Sequence, residues 1–281
     1  MILAAFAIIL PLAAQEQDEI RTRQLWDTNL QSKRPPAKNT VRPRPGPSEM
    51  ALDSTGDAYV GITLWRLRPS KSEDAPGSRM LVHPPETNKE EDWTPERCEA
   101  DTPLGQGQMV RLSIEAARAG YLYVIDREQY ADGTLSDGEV IFPTLRTRHG
   151  KNKVTPGEVV EIPGWDDTPR YMLVRRSRPD QVAEVLTVIV APQPIRSVKI
   201  TRDAYKVSKD ELAVWEKKWG AQVQKLESKG QAGKPYTQAE REAGKEGSLL
   251  TDADPLPQTM YHVKTRHGEP LLLTVPLQMA K

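Results

Sequence analysis

Cysteine occurs once in the 281 residues, at Cys98. A lone thiol cannot close an intramolecular disulfide, so a disulfide-stapled scaffold is excluded. No cysteine closely follows the N-terminal apolar run, which argues against a lipid anchor there. An excess of charge of one sign is also missing. Lys plus Arg and Asp plus Glu both total 39, so no global field draws the chain to nucleic acid or an anionic membrane. Phenylalanine appears only 2 times, against 8 Tyr and 6 Trp, so large aromatic packing falls to side chains with a polar tip. The sequence contains no G-x-S-x-G, no H-E-x-x-H, no phosphate loop and no G-x-G-x-x-G in a strand-to-helix setting. The apolar run Ile2 to Leu10 is far shorter than the roughly 20 residues that span a bilayer.

What is present begins with that run. "MILAAFAIILPLAAQEQDE" has an apolar stretch, a breaking Pro11 and the small residues Ala13 and Ala14 before a polar start, which is the pattern of a secretory signal peptide over 1–14. It lacks the usual positive n-region. Residues 15–57, with Pro35, Pro36, Pro43, Pro45 and Pro47 among Lys33, Arg34, Lys38, Arg42 and Arg44, are expected to be an extended, disordered, basic linker. Export then places the mature chain in the periplasm or outside the cell, with no transmembrane span left after cleavage.

From 58 to 195 the pattern has period two. "YVGITLWRL", "RMLVH", "MVRLSIEA", "YLYVID", "EVIFP", "EVVEIP", "YMLVRRS" and "EVLTVIVAP" read as short strands, separated by turn pairs such as Asp132-Gly133 and Pro156-Gly157. The expected fold is mainly β: an antiparallel β-sandwich, immunoglobulin-like or related. "YLYVID" and "EVLTVIVAP" are apolar on both faces and belong in the middle of a sheet. In "MVRLSIEA", Val110, Leu112 and Ile114 face the core while Arg111, Ser113 and Glu115 form a wet face. Residues 196–281 are expected to be an extension packed on the sandwich. Ser208 and Glu211 open a capping box, and Leu212, Trp215, Trp219, Val223 and Leu226 follow at helical spacing up to Gly230. "TQAEREAG" adds a short helix, and the end is expected to be a hairpin turning at His267-Gly268.

Candidate chemistry is sparse. Asp126, Glu128, Asp132, Asp137 and Glu139 crowd the connection between "YLYVID" and "EVIFP", and hard cations such as calcium bind several oxygens at once. Asp126, Asp132, Asp137 and Glu139 are the metal candidates, although their spacing does not match an EF-hand and Asp-Gly is a common turn pair. Cys98 in "WTPERCEADTP", a polar, loop-like stretch, has no protease signature around it, and His262 and His267 lack a third ligand. No catalytic or cofactor-binding residue is assigned. Arg66, Arg68, Arg146, Arg148, Arg175, Arg176 and Arg178 lie near strand ends, where they offer a surface for an anionic ligand, glycan or peptide.

One stretch resembles a known family. Gly120-Tyr121-Leu122-Tyr123, Phe142-Pro143, Pro156-Gly157 and Ile162-Pro163 follow the pattern of the bacterial domain-of-unknown-function family number 4384 over about residues 103–192, and the long Asp-Gly insertion is similar to acidobacterial members. The resemblance implies an exported or envelope-associated domain with no established catalytic residues. The combined expectation is a non-catalytic binding or scaffolding module of the cell envelope, whose partner is an envelope protein or a cell-wall polymer. Two alternatives stay open: an envelope hydrolase or processing factor whose site is assembled in space, and a calcium-dependent adhesion or wall module using the Asp126–Glu139 loop.

Overall fold

The computed structural model describes residues 28–37, 56–87, 89–228, 230–245 and 247–281. The expected signal peptide lies outside the described residues, as does most of the linker. The chain is mainly β and forms two antiparallel sheets stacked as a sandwich. In the first, β1 (Asp57–Pro69) is the spine. One edge of it pairs with β13 (Thr259–Lys264) and then with β3 (Glu91–Cys98), and the other pairs with β4 (Met109–Ala116). The outer positions belong to β2 (Met80–Val82), β8 (Val159–Ile162), β9 (Met172–Leu173) and β12 (Gln222–Glu227). The second sheet runs β11 (Tyr205–Val207), β6 (Gly138–Phe142), β5 (Gly120–Tyr130), β10 (Gln181–Ala191) and β14 (Leu271–Gln278), with β7 (Lys153–Val154) also on β5.

The core lies where alternation puts it. Val60, Ile62, Leu64, Leu112 and Ile114 from the first sheet meet Leu122, Val124, Phe142, Val188 and Val190 from the second. The strands β5 and β10 are apolar on both faces because the back of the second sheet is covered too. Tyr123, Ile125, Val140 and Ile189 point there and bury Leu212 and Trp215 of helix α1 (Lys209–Trp219). At roughly 25 cal/mol for each Å² of apolar surface buried, such contacts are the main source of stability.

The expected wet face of β4 is dry. Arg111 is 1% exposed and Glu115 3%, because residues 28–37, 236–245 and 250–257 lie over it. Arg34 forks onto Glu115, with Nε–Oε1 at 2.8 Å and Nη2–Oε2 at 2.7 Å. Arg111 pairs with Glu161, and Arg97 pairs with Glu240 of the short helix α2 (Gln238–Ala243). The Trp65 indole N–H donates to Ser113 Oγ at 2.7 Å, and Tyr236 O–H donates to Glu161. Burial pushes Arg97 down and Glu240 up, and their mutual attraction opposes both shifts. Each buried charge is thereby paired, without which burial would be prohibitive.

Other expectations need correction. Residues 28–37 are not part of a disordered linker: Leu30 packs with Tyr59, Leu226 and Met260. A division at 195 does not exist, since β12 and β13 complete the first sheet and β14 the second. For the same reason 259–278 is not a hairpin, because its two strands belong to different sheets. Helix α1 begins at its Ser208 cap as expected but stops at Trp219. Gly220 is extended, and 222–227 buries Leu226 by pairing with β13. Cys98 sits in β3, a strand that Pro95 and a polar composition disguise. The expected strand "YMLVRRS" shrinks to Met172–Leu173.

Candidate functional site

The Asp-Gly connection is a hairpin loop between β5 and β6 whose carboxylates serve local structure. Asp132 Oδ1 accepts from Thr134 N at 2.9 Å and Thr134 Oγ1 at 2.7 Å, and these bonds hold its carboxyl below the usual range. Gly133, with φ of 84°, makes the turn. Asp137 Oδ1 accepts from Lys209 N at 3.0 Å, tying the loop to the start of α1. A Cβ at Gly138 would come within 2.6 Å of both Ile125 and Leu212, so this glycine lets the helix approach the sheet. Glu128 accepts from Tyr130 O–H at 2.6 Å and Ser177 Oγ at 2.7 Å, while Glu139 is exposed. Among the described residues, no three or more His, Cys, Asp or Glu are grouped to hold a metal ion.

Asp126 behaves differently. It lies beside Glu184 of β10, and burial pushes Asp126 up to about 7 and Glu184 to about 8, the charge of Asp126 adding to the shift at Glu184. Two such carboxyls titrate as a pair. They lie on the second sheet and do not line the principal cleft of the molecule.

That cleft, about 690 Å³, opens on the far side of the first sheet. Four segments enclose it: Pro76–Leu81 with β2, the loop after β6 through His149, the loop from Gly164 to Arg170, and the end of α2. Its volume falls in the range of small-ligand sites, roughly 300–1,000 Å³. The lining is cationic, with Arg79, Arg146, Arg148, Arg170, Arg241 and Lys245 against Asp92, Glu161, Asp166 and Asp167. Glu161 is already neutralised by Arg111, and Asp167 accepts from Thr147 Oγ1 at 2.5 Å and Gly164 N at 2.6 Å.

Trp165 is the centre of the arrangement. The guanidinium of Arg241 lies 5.1 Å from its ring centroid and that of Arg111 5.3 Å. Arg170 Nε donates to Trp165 O at 2.8 Å, and Arg241 Nη1 donates to Arg79 O at 3.3 Å. Arg79 in turn donates from Nε and Nη2 to Asp74 O, at 3.1 and 2.8 Å. Arg79, Arg170 and Arg241 thus have only main-chain carbonyl acceptors among the described residues, with no carboxylate there at ion-pair distance. The Nε of Arg241 is buried with no acceptor.

The opposite wall carries backbone strain. Arg148 and His149 have φ of 54° and 52°, a left-handed conformation worth about 1–3 kcal/mol each for residues other than glycine. Thr147 is anchored to Asp167 below them, and Arg148 pairs with Glu158 through one nitrogen while its Nε and Nη1 are buried without partners. Arg146 pairs with Asp203 at 2.6 Å in solvent.

Of the seven arginines singled out in the sequence, only Arg146 and Arg148 reach this cleft. Arg68 is clamped by Asp74 and Glu96, Arg66 lies 4.0 Å from Glu96, and Arg178 pairs with Asp180 and stacks on Tyr130. Arg175 and Arg176 are exposed elsewhere. Arg79, Arg170, Arg241, Lys245 and Trp165 were not signalled, although "GWDDTPR" after Ile162-Pro163 carries a tryptophan and an arginine in one turn-rich segment. His262 Nε2 lies 3.1 Å from Asp57 Oδ1 and its ring stacks on Tyr59, and His267 is an exposed residue of the connection after β13. Cys98 is buried, and desolvation pushes its thiol up. No family model, curated protein or solved structure matches this chain.

Proposed function

We propose that this protein is a binding module that recognises an anionic ligand in the cleft around Trp165 and does no chemistry, acting as a binding or scaffolding component of the bacterial cell envelope. The observation that carries the reading is the set Arg79, Arg170 and Arg241, three guanidiniums at one cleft without a carboxylate partner among the described residues. Guanidiniums grouped in this way present a local positive field and forked donors that suit an anion. Binding is favoured over catalysis because the carboxyls with raised pKa, Asp126, Glu184 and Glu240, do not line the cleft, and Cys98 is buried in a different strand. Export is supported by the apolar run before Ala14 and by the resemblance of residues 103–192 to an envelope-associated domain family.

Retention on a sulfonate resin at pH 7 tests the site. The whole chain has formal net charge +0, so retention has to come from a local patch. The Arg170→Ala/Arg241→Ala variant is expected to elute at clearly lower salt than the parent. Identical elution would mean that the cleft presents no cationic surface to ligands. Fractionation of the expressing cells tests the location, with the mature chain expected outside the cytoplasm.

A further inference from the structure

On the reading that the cleft is the binding site, we infer that its ligand carries phosphoryl groups, at least two of them close together, as in a diphosphate ester. The argument rests on donor number and placement. A carboxylate offers two oxygens, and one arginine fork satisfies both. The cleft supplies more than that. Among the described residues Arg79 Nη1, Arg170 Nη2 and Arg241 Nη2 have no acceptor; Arg241 lies over the Trp165 ring, Arg170 is bound to the Trp165 carbonyl, and Arg79, whose own carbonyl takes Arg241, has its guanidinium fixed on the carbonyls of Lys71, Ser72 and Asp74 at the cleft's edge. Free donors on more than one guanidinium suit the three terminal oxygens of a phosphoryl group.

Across the cleft stand two more arginines, Arg146 paired with Asp203 and Arg148 with Glu158. Arg146, Arg148 and His149 line it from a loop held in left-handed backbone, and Arg148 keeps two nitrogens without partners. Strain of that kind persists only where the surroundings enforce it, here through the Thr147–Asp167 contact, and its consequence is to hold Arg148 and His149 against the cleft. Arginines on two walls of one cleft of about 690 Å³ leave room for two linked anionic groups, the second reached through the unpartnered nitrogens of Arg148. The Trp165 ring already has the guanidiniums of Arg111 and Arg241 against it, so its role is to orient them. Asp92 and Asp166 at the exposed lining disfavour a long polyanion lying across the rim.

The test is calorimetric titration of the full chain with inorganic pyrophosphate, inorganic phosphate and citrate, at low and moderate salt. Pyrophosphate is expected to bind more tightly than phosphate and citrate by at least about tenfold, and Arg241→Gln or Arg170→Gln to weaken it by about tenfold or more. Arg66→Gln, outside the cleft, is expected to change nothing. Thermal melting of each variant confirms folding, and Arg79→Lys, which keeps the charge while losing the fork, should give an intermediate loss. Sedimentation with phosphatidylcholine vesicles containing farnesyl diphosphate separates a lipid source of the group from a soluble one. Citrate binding as tightly as pyrophosphate, with the same dependence on Arg170 and Arg241, would overturn the phosphoryl assignment while leaving an anion site. Absence of cleft-dependent binding by any of the three anions would overturn both.

Discussion

The Glu115→Ala substitution tests the most consequential feature of the fold, the charged layer beneath residues 28–37. Among the described residues the carboxylate of Glu115 is the one anion paired with Arg34, whose side chain is 0% exposed. Its other acceptors are the carbonyl oxygens of Thr251, Asp254 and Pro255, at 3.3, 3.0 and 3.1 Å. Removing the carboxylate therefore leaves the guanidinium hydrogen-bonded but unpaired in a dry site. Breaking a buried pair in this way costs about 3–5 kcal/mol. Against a total stability of about 5–15 kcal/mol, that is a large share. At roughly 2–4 °C per kcal/mol for a domain of this size, the midpoint should fall by roughly 6–20 °C.

The same geometry predicts the rescue. Arg34→Met with Glu115→Leu removes both charges and keeps much of the volume, so most of the lost stability should return. Differential scanning calorimetry of the two single variants and the double gives the coupling directly. Because Arg34 also holds residues 28–37 in place, trypsin should cut this segment sooner in Glu115→Ala than in the parent. If Glu115→Ala melts within about 2 °C of the parent, or if the double variant is no better than the worse single, the buried pair is not what holds this layer.

Four further outcomes follow from individual residues. Asp126 and Glu184 have folded pKa values above those of the unfolded chain, so the native state binds more protons between about pH 4 and 8; stability should be greatest near the acid end and fall as pH rises, and Glu184→Gln should flatten that slope in melts at pH 5 and 8. Gly138→Ala forces α1 away from Ile125 and should lower the urea midpoint by the equivalent of about 1–3 kcal/mol, with Ser208→Ala at the helix cap costing about 1 kcal/mol. The Cys98 thiol, buried and pushed up by desolvation, should react with an aromatic disulfide reagent only after denaturation. Calcium and chelator should give the same melting temperature, since Asp132 and Asp137 already serve the turn and the helix start.

Those elements whose signal is local could be seen in the sequence. Alternation in β1 and β4, double-sided apolarity in β5 and β10, and the Ser208 cap of α1 depend on neighbours within a few positions, and all of them appear where expected. The elements that escaped depend on distant partners. Nothing within "EDWTPERC" marks a strand, because its place is set by the long edge of β1, which pairs Leu67 with Pro95 and Leu64 with Cys98. The residues 222–227 continue a helical spacing of apolar side chains, yet pairing with β13 gives them a better burial of Leu226 than another helical turn would. The cleft escaped for the same reason: Arg241 meets Arg79 across 162 positions, and no spacing within either segment anticipates it.

The polar face of β4 shows where alternation itself runs out. Period two reports that a strand has two chemically different faces, and it says nothing about what covers either. Arg111, Ser113 and Glu115 read as solvent-facing because isolated charges belong in water. In the fold each of the two charges meets its opposite from another segment, Glu161 and Arg34, so the layer is neutral pair by pair and can be buried. The second sheet uses its outer face in the opposite way, with apolar residues that accept the stripe of α1. One sandwich thus carries two kinds of covering, apolar on one back and ionic on the other. The ionic covering also anchors the cleft: Arg111 pairs with Glu161 and lies over Trp165, so the layer that closes the first sheet holds the ring around which Arg170 and Arg241 are arranged.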